Sequence, residues 1–115
     1  MALPEMDVAR VLRWVDARNA AIPPQARDRI RYELDVADRH VTVVECRPPW
    51  RADLGPEWTR LPVVRFHFTR ATSTWAIYWR DRNRKFHRFD SVPSSHRIEE
   101  LTRAVDEDRT GIFWG

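Results

Sequence analysis

The stretch RLPVVRFHFTRATSTWAIYWRDRNRKFHR, residues 60–88, determines the class of fold that this chain adopts. Large apolar side chains alternate with polar ones along it, which is the period of two that half-buried β-strands show. Polar pairs at Thr72-Ser73 and Arg82-Asn83 interrupt the alternation and suit tight turns. The pattern therefore predicts a meander of three antiparallel strands, Val63–Arg70, Thr74–Arg80 and Lys85–Asp90.

A hairpin precedes this meander. Residues 30–36 and 41–46 alternate apolar and polar side chains, and a two-residue turn at Asp38-Arg39 joins them. The turn predicts the pairs Val36 with Val41, Leu34 with Val43 and Tyr32 with Glu45. Between hairpin and meander, residues 47–62 contain four prolines and one glycine, so we expect an irregular loop there that Trp50 and Trp58 pin to the protein.

Helical signals flank the sheet region at both ends of the chain. Pro4 suits the first position of a helix that runs to Ala20, with an inner face formed by Val8, Val11, Leu12 and Val15. A second helix opens at Pro93-Ser94-Ser95, and its inner stripe is formed by Ile98, Leu101, Thr102 and Val105. We expect both helices to cover one face of the sheet and Trp114 to dock in the same core.

Together these elements predict an α+β fold over residues 1–115 as a single domain, with an N-terminal helix, a five-strand mainly antiparallel sheet (hairpin plus meander) and a C-terminal helix. No apolar run approaches the ~18 residues of a membrane span, so no membrane partner is expected. The only cysteine, Cys46, fits a reducing, cytoplasmic location. Because the chain lacks a Gly-rich phosphate loop, a nucleophile elbow and a CxxC pair, we expect no cofactor.

Positive charge is concentrated in the same stretch that sets the fold. Residues 60–88 contain eight basic side chains and one acid, Asp81, a net +7 on a chain whose formal net charge is +3. All of the basic residues except Lys85 are arginine, whose planar guanidinium binds phosphate and stacks on bases. The clustering indicates a polyanionic partner.

The predicted turns determine which meander side chains share a face of the sheet. They place Phe66 beside Trp79 and Phe68 beside Ile77 on the apolar face. The other face should carry three rows across the strands: Arg65–Arg80–Lys85, His67–Tyr78–His87 and Thr69–Ala76–Phe89.

Binding of a nucleic acid or another polyanion to this basic and aromatic face is the favoured function. Cationic side chains would neutralise phosphates, and tyrosine and histidine rings would stack on bases. The candidate nucleic-acid-binding residues are Arg65, His67, Tyr78, Arg80, Arg82, Arg84, Lys85, His87 and Arg88.

A structural or protein-interaction role without nucleic acid is the first alternative. In that case the acids Glu33, Asp35 and Glu45 would pair with the arginines, and a protein partner would depend on Trp50 or Trp58.

Chemistry at the histidines is the second alternative. A metal-independent ribonuclease would use His67 and His87 to accept and donate protons, with Tyr78 and Lys85 beside them. A metal held between His67 and His87 is disfavoured, because neighbouring arginines would repel a cation and no carboxylate or thiol joins them on that face.

Several segments of the chain together resemble a known family. They are RPPWRADLGPEWTRLPVVR at 47–65, TWAIYWRDRNRKFHRFD at 74–90, the acidic C-terminal helix and the closing GIFWG at 111–115. On these segments the chain is identified as a member of the domain of unknown function 3024 family. The resemblance spans essentially the whole chain and implies a small, single-domain bacterial protein. It brings no activity, catalytic residue or ligand with it.

Overall fold

The computed structural model describes residues 3–114, in which a helix precedes five strands and a second helix follows them. Helix α1 spans Glu5–Ala20 and helix α2 spans Ile98–Glu107. The strands are β1 Arg31–Val36, β2 His40–Arg47, β3 Thr59–Thr69, β4 Thr74–Arg80 and β5 Phe86–Arg88. The predicted α+β class, with an antiparallel five-stranded sheet between two helices in sequence, is confirmed.

The strands form one continuous meander in the order β1-β2-β3-β4-β5, and each neighbouring pair is antiparallel. The first hairpin has the predicted register, with Val36 opposite Val41 and Leu34 opposite Val43. Its turn is closed by the Ala37 N–H, which donates to the His40 carbonyl oxygen at 2.9 Å. A two-residue turn leaves a single way to pair these strands, which explains why the sequence pattern was sufficient here.

Strand β3 is longer than predicted because a β-bulge lets it continue past a proline. Val43 pairs with Val64 and Val44 pairs with Pro62, so Val63 is the extra residue on β3. Proline has no N–H to contribute to a ladder, and bulges are among the places where an internal strand accommodates it. Beyond the bulge the pairing resumes, and β3 begins at Thr59 instead of Val63.

The turn between β3 and β4 differs from the prediction and moves the register by two residues. The Ser73 N–H donates to the Arg70 carbonyl oxygen at 3.2 Å, and Ser73 adopts a left-handed φ of 54°. Phe66 consequently lies opposite Ile77 instead of Trp79. An even shift keeps every side chain on its predicted face and changes only its partner across the strands.

The loop between β4 and β5 contains one residue more than predicted. The Arg84 N–H donates to the Asp81 carbonyl oxygen at 3.0 Å, the Asp81 N–H donates to the Lys85 carbonyl oxygen at 2.8 Å, and Arg84 has a φ of 64°. This is a three-residue hairpin loop that ends in a left-handed residue. The extra residue shifts the pairing of β5 by one position, so Phe86 pairs with Arg80 and His87 pairs with Trp79. A shift of one residue moves each side chain of β5 to the opposite face of the sheet.

The core lies between the helices and one face of the sheet. Val11 and Val15 of α1 and Leu101 of α2 are buried there. The sheet contributes Val41, Val43, Val64, Phe66 and Ile77. Leu12, predicted to face inward, is 47% exposed, because the buried stripe of α1 is narrower than the sequence pattern indicated.

The C-terminal segment is anchored in this same core. Helix α2 begins at Ile98 and not at Pro93-Ser94-Ser95, because Ser95 exchanges two backbone hydrogen bonds with Trp75 at 2.8 and 3.0 Å. After α2, the Trp114 Nε1–H donates to the Val105 carbonyl oxygen at 3.0 Å, and the Arg18 guanidinium lies 3.3 Å from the centre of the Trp114 ring. The prediction that Trp114 docks in its own core is confirmed.

Candidate nucleic-acid interface

Both α-helices pack on one face of the sheet, and the opposite face carries a mixed set of cationic and aromatic side chains. We call this surface the open face. Its members are His40, Thr42, Arg65, His67, Tyr78, Arg80, Phe86 and Arg88. The sequence prediction correctly placed Arg65, His67, Tyr78 and Arg80 on it.

Arg65 lies at the centre of the open face and is held in place by two contacts. Its Nε–H donates to Thr42 Oγ1 at 2.9 Å, and its guanidinium lies 3.9 Å from the centre of the Phe86 ring. Burial lowers the pKa of Arg65, yet arginine remains protonated at neutral pH because its ordinary pKa is so high. No carboxylate in residues 3–114 pairs with it, so this positioned cation keeps its charge uncompensated by an ion pair.

Three rings form a line beside Arg65. The His67 ring centre is 6.2 Å from that of His40 and 5.6 Å from that of Tyr78. Burial lowers the pKa of both histidines, and the nearby charge of Arg65 lowers the pKa of His40 further. Both rings are therefore neutral at neutral pH and supply flat aromatic surface in place of charge.

Arg80 and Arg88 differ in how much of each guanidinium is available to a ligand. The Arg80 Nε–H donates to the Pro62 carbonyl oxygen at 2.5 Å, and a terminal nitrogen donates to the Asp81 carbonyl oxygen at 3.2 Å. Arg80 thus fastens β4 to the bulged part of β3. The exposed Arg88 makes one side-chain hydrogen bond, to Ser94 Oγ at 3.0 Å, so most of its donors are accessible.

The β4–β5 loop carries three further candidates, Arg82, Arg84 and Lys85, all exposed. None of them pairs with a carboxylate within the described part of the chain. Lys85 belongs to this loop and does not form the predicted row with Arg65 and Arg80. These three side chains therefore extend the positive charge of the open face beyond its end.

His87 lies on the helix-facing side of the sheet, so its predicted place beside His67 was wrong. Its ring packs against Trp79 with centres 4.9 Å apart, and its Nε2 lies 2.7 Å from Asp81 Oδ2. That contact, followed by the backbone N–H of Lys85, lowers the pKa of Asp81. The physical reason is the extra loop residue, which exchanges the faces of Phe86 and His87.

This correction removes both chemical alternatives that relied on the histidine pair. His67 and His87 are on opposite faces of the sheet, so they cannot act together on one RNA phosphate or bind one metal ion. Within residues 3–114, no three side chains of the His, Cys, Asp or Glu type are grouped as a metal site would require. Cys46 is 1% exposed, and burial raises the pKa of its thiol.

At the β1 edge of the open face, acidic side chains neutralise an arginine. The Arg60 guanidinium hydrogen-bonds both Glu33 and Asp35. This contact is the main reason why the pKa of Glu33 is lowered. Glu45, by contrast, pairs with Arg47 at 3.0 Å and lies on the face opposite to Asp35. The expected pairing of acids with arginines thus occurs at the β1 edge, and within residues 3–114 it leaves Arg65, Arg80 and Arg88 without carboxylates.

The loop between β2 and β3 positions its two tryptophans differently. Trp58 is half-buried, and the Arg31 guanidinium lies 4.2 Å from its ring centre, as expected for a residue that pins the loop. Trp50 is 81% exposed, so the prediction that it also pins the loop was wrong. Trp58 therefore contacts the β1 edge, and the rings of His67 and Tyr78 are half-buried.

Sequence reasoning missed three members of the open face, His40, Thr42 and Phe86. His40 follows the predicted turn at Asp38-Arg39 and was not a candidate, although the correct hairpin register already placed it on the same face as Thr42. Extending that register across β3 would have paired it with His67. No signal in the sequence identified Phe86, because its face depends on the left-handed residue Arg84.

Comparisons with known proteins identify the family of this chain. Within the described residues, neither helix combines the length and the apolar character that crossing a membrane requires. Neither the curated proteins nor the solved structures contain a match to this chain. A family model described as Domain of unknown function (DUF3024) matches residues 2–115, and the chain therefore belongs to that family.

Proposed function

We propose that this protein binds single-stranded nucleic acid on the open face. The observation that carries the proposal is the fixed guanidinium of Arg65, which lies 3.9 Å from the centre of the Phe86 ring with no carboxylate partner among the described residues. A guanidinium held in this way can bond a phosphate with its terminal nitrogens and stack on a base with its free face. Little side-chain entropy is lost on binding, because the fork is already ordered.

The distribution of charge supports the same proposal. Arg60 at the β1 edge is paired with two carboxylates, whereas Arg65 and Arg88 have none in residues 3–114. An anionic chain is therefore attracted toward β3, β4 and β5 and away from the acidic edge. Affinity should fall with salt, because binding releases the counterions of the nucleic acid.

The rings favour a single strand over a duplex. His40, His67 and Tyr78 form a line on a sheet surface, and such a surface can stack only on bases that are not already paired. Stacking is tolerant of sequence because every base has a flat face, so we expect weak base preference. The setting we infer is cytoplasmic, where the single buried thiol of Cys46 stays reduced.

Fluorescence anisotropy with labelled single-stranded RNA, single-stranded DNA and duplex DNA tests the proposal. We expect both single strands to bind more tightly than the duplex. Tyr78→Ala should weaken binding by about 1–3 kcal/mol, the usual contribution of one stacked base. Arg103→Ala serves as the matched control, because this exposed arginine belongs to α2 on the other side of the sheet. Preference for the duplex, or equal losses in both variants, would contradict binding on the open face.

A protein-interaction role is the second candidate, and the β2–β3 loop supports it. Trp50 is 81% exposed and Leu54 is 56% exposed, so two large apolar side chains face solvent in one loop. Of the two, tryptophan is a residue type that is enriched at the centres of protein interfaces. If this role is correct, Trp50→Ser should abolish capture of a partner protein and leave nucleic-acid affinity unchanged.

A further inference from the structure

A cleft of about 370 Å³ opens at one end of the sheet, where the β1–β2 turn meets the end of β3. The Phe68 N–H donates to the Arg39 carbonyl oxygen at 2.8 Å and fixes the turn against β3. The residues that line the cleft are Leu3, Asp38, Arg39, His67, Phe68, Thr69 and Arg70.

Two arginines supply the charge of this cleft. Within residues 3–114, neither Arg39 nor Arg70 makes an ion pair, and neither guanidinium donates a hydrogen bond to another group. Arg39 and His67 line the same cleft, and burial followed by the charge of Arg39 lowers the pKa of His67. Asp38 is the one acid in the lining, and it opposes an anion there.

The lining of the cleft joins the core to the open face. Leu3 and Phe68 are buried core residues that contribute to the lining. His67 connects the cleft with the open face, because the same ring lies 5.6 Å from Tyr78. A group that ends in the cleft can therefore belong to a strand that continues across the open face.

We propose that this cleft binds a phosphate monoester between Arg39 and Arg70, with His67 as a further hydrogen-bond partner. When the ligand is a nucleic acid, the group bound in the cleft is the terminal phosphate of the strand. Two guanidinium forks match the several oxygens and the double charge of a monoester better than the single charge of an internal diester. The second part of this proposal rests on the proposed function; the phosphate site itself does not.

Inorganic phosphate tests the site alone. We would follow the His67 ring by NMR while phosphate is added, and we expect its pKa to rise because an anion then adjoins the ring. Asp38→Asn should strengthen phosphate binding, and Arg39→Gln with Arg70→Gln should remove it. If the His67 resonances do not respond to phosphate in the protein or in the Asp38→Asn variant, the site does not exist.

Matched oligonucleotides test the strand end. A single strand with a 5′- or 3′-phosphate should bind about tenfold more tightly, or better, than the same strand without one. Arg39→Gln should remove this advantage, whereas Arg103→Gln should retain it. If Arg39→Gln lowers the affinity for phosphorylated and unphosphorylated strands equally, the cleft holds an internal phosphate. That result overturns the proposal that the cleft binds the terminal phosphate and leaves the proposed function intact. If no strand binds and phosphate still shifts His67, the proposed function fails and the phosphate site stands.

Discussion

The salt dependence of binding is the prediction that most directly connects the structure with the proposed function. Four arginines, Arg39, Arg65, Arg70 and Arg88, lie on the open face or in its cleft, have no carboxylate partner in the described residues and present free donors. For a single strand that ends in a phosphate, each phosphate charge neutralised contributes about −0.7 to the slope of log K against log salt, and the monoester between Arg39 and Arg70 counts as two charges. Four contacts therefore predict a slope of about −2.8, which corresponds to a loss of roughly 50-fold in affinity over a fourfold rise in salt.

Removing one of these charges should change the slope by a defined amount. Arg65→Gln keeps a polar side chain of similar length, so we expect a slope of about −2.1 and a loss of roughly 20-fold over the same fourfold range. The assay is anisotropy of a labelled single strand, titrated at salt concentrations from about 50 to 200 mM. Arg103→Gln, on α2, should leave the slope at its original value.

Two results would refute this reasoning. A slope near zero in the unmodified protein would mean that binding does not neutralise phosphates at all. Equal slopes for the protein and for Arg65→Gln, with a reduced slope for Arg103→Gln, would mean that the contacts lie on the helical side.

Three further predictions concern stability and reactivity. Trp114→Ala should lower the free energy of unfolding by about 3 kcal/mol, because it removes a partly buried ring, its hydrogen bond to Val105 and its contact with Arg18. Urea denaturation monitored by circular dichroism measures this loss. An unchanged free energy of unfolding would mean that the C-terminal segment is not docked. The lowered pKa values of His40 and His67 mean that the unfolded chain binds protons more readily, so stability should be complete above about pH 6.5 and fall as pH drops below it. Thermal melts of a His40→Gln, His67→Gln variant should lose that part of the pH dependence. Cys46 should react with a thiol reagent much more slowly in the folded protein than in denaturant, and equal rates would contradict its burial.

The sequence was sufficient wherever a short-range rule determined the structure. The two-residue turn at Asp38-Arg39 fixed the β1–β2 register, and β4 was predicted with both of its ends correct. Alternation identified the core face of β3, because an error of two residues leaves side chains on their proper sides. These features depend on residues that are close together along the chain.

The candidate site was predicted less well, because two of its features depend on backbone conformation that composition does not reveal. Ser73 and Arg84 adopt a positive φ, which residues other than glycine rarely do, so neither was expected to lengthen a turn. The exposure of Trp50 was missed for another reason. Nothing local distinguishes an aromatic ring that docks from one that remains in solvent, and only tertiary contacts separate Trp50 from Trp58.

The left-handed residue at Arg84 has a consequence for how this surface can diverge among relatives. Insertion or deletion of one residue in the β4–β5 loop would exchange the sides of Phe86, His87 and Arg88 without altering any of them. The open face would then lose the Phe86 ring beside Arg65 and gain an imidazole, while β1 to β4 stayed in place. A change in loop length could therefore alter specificity in one step, and relatives with identical β5 sequences need not share a ligand.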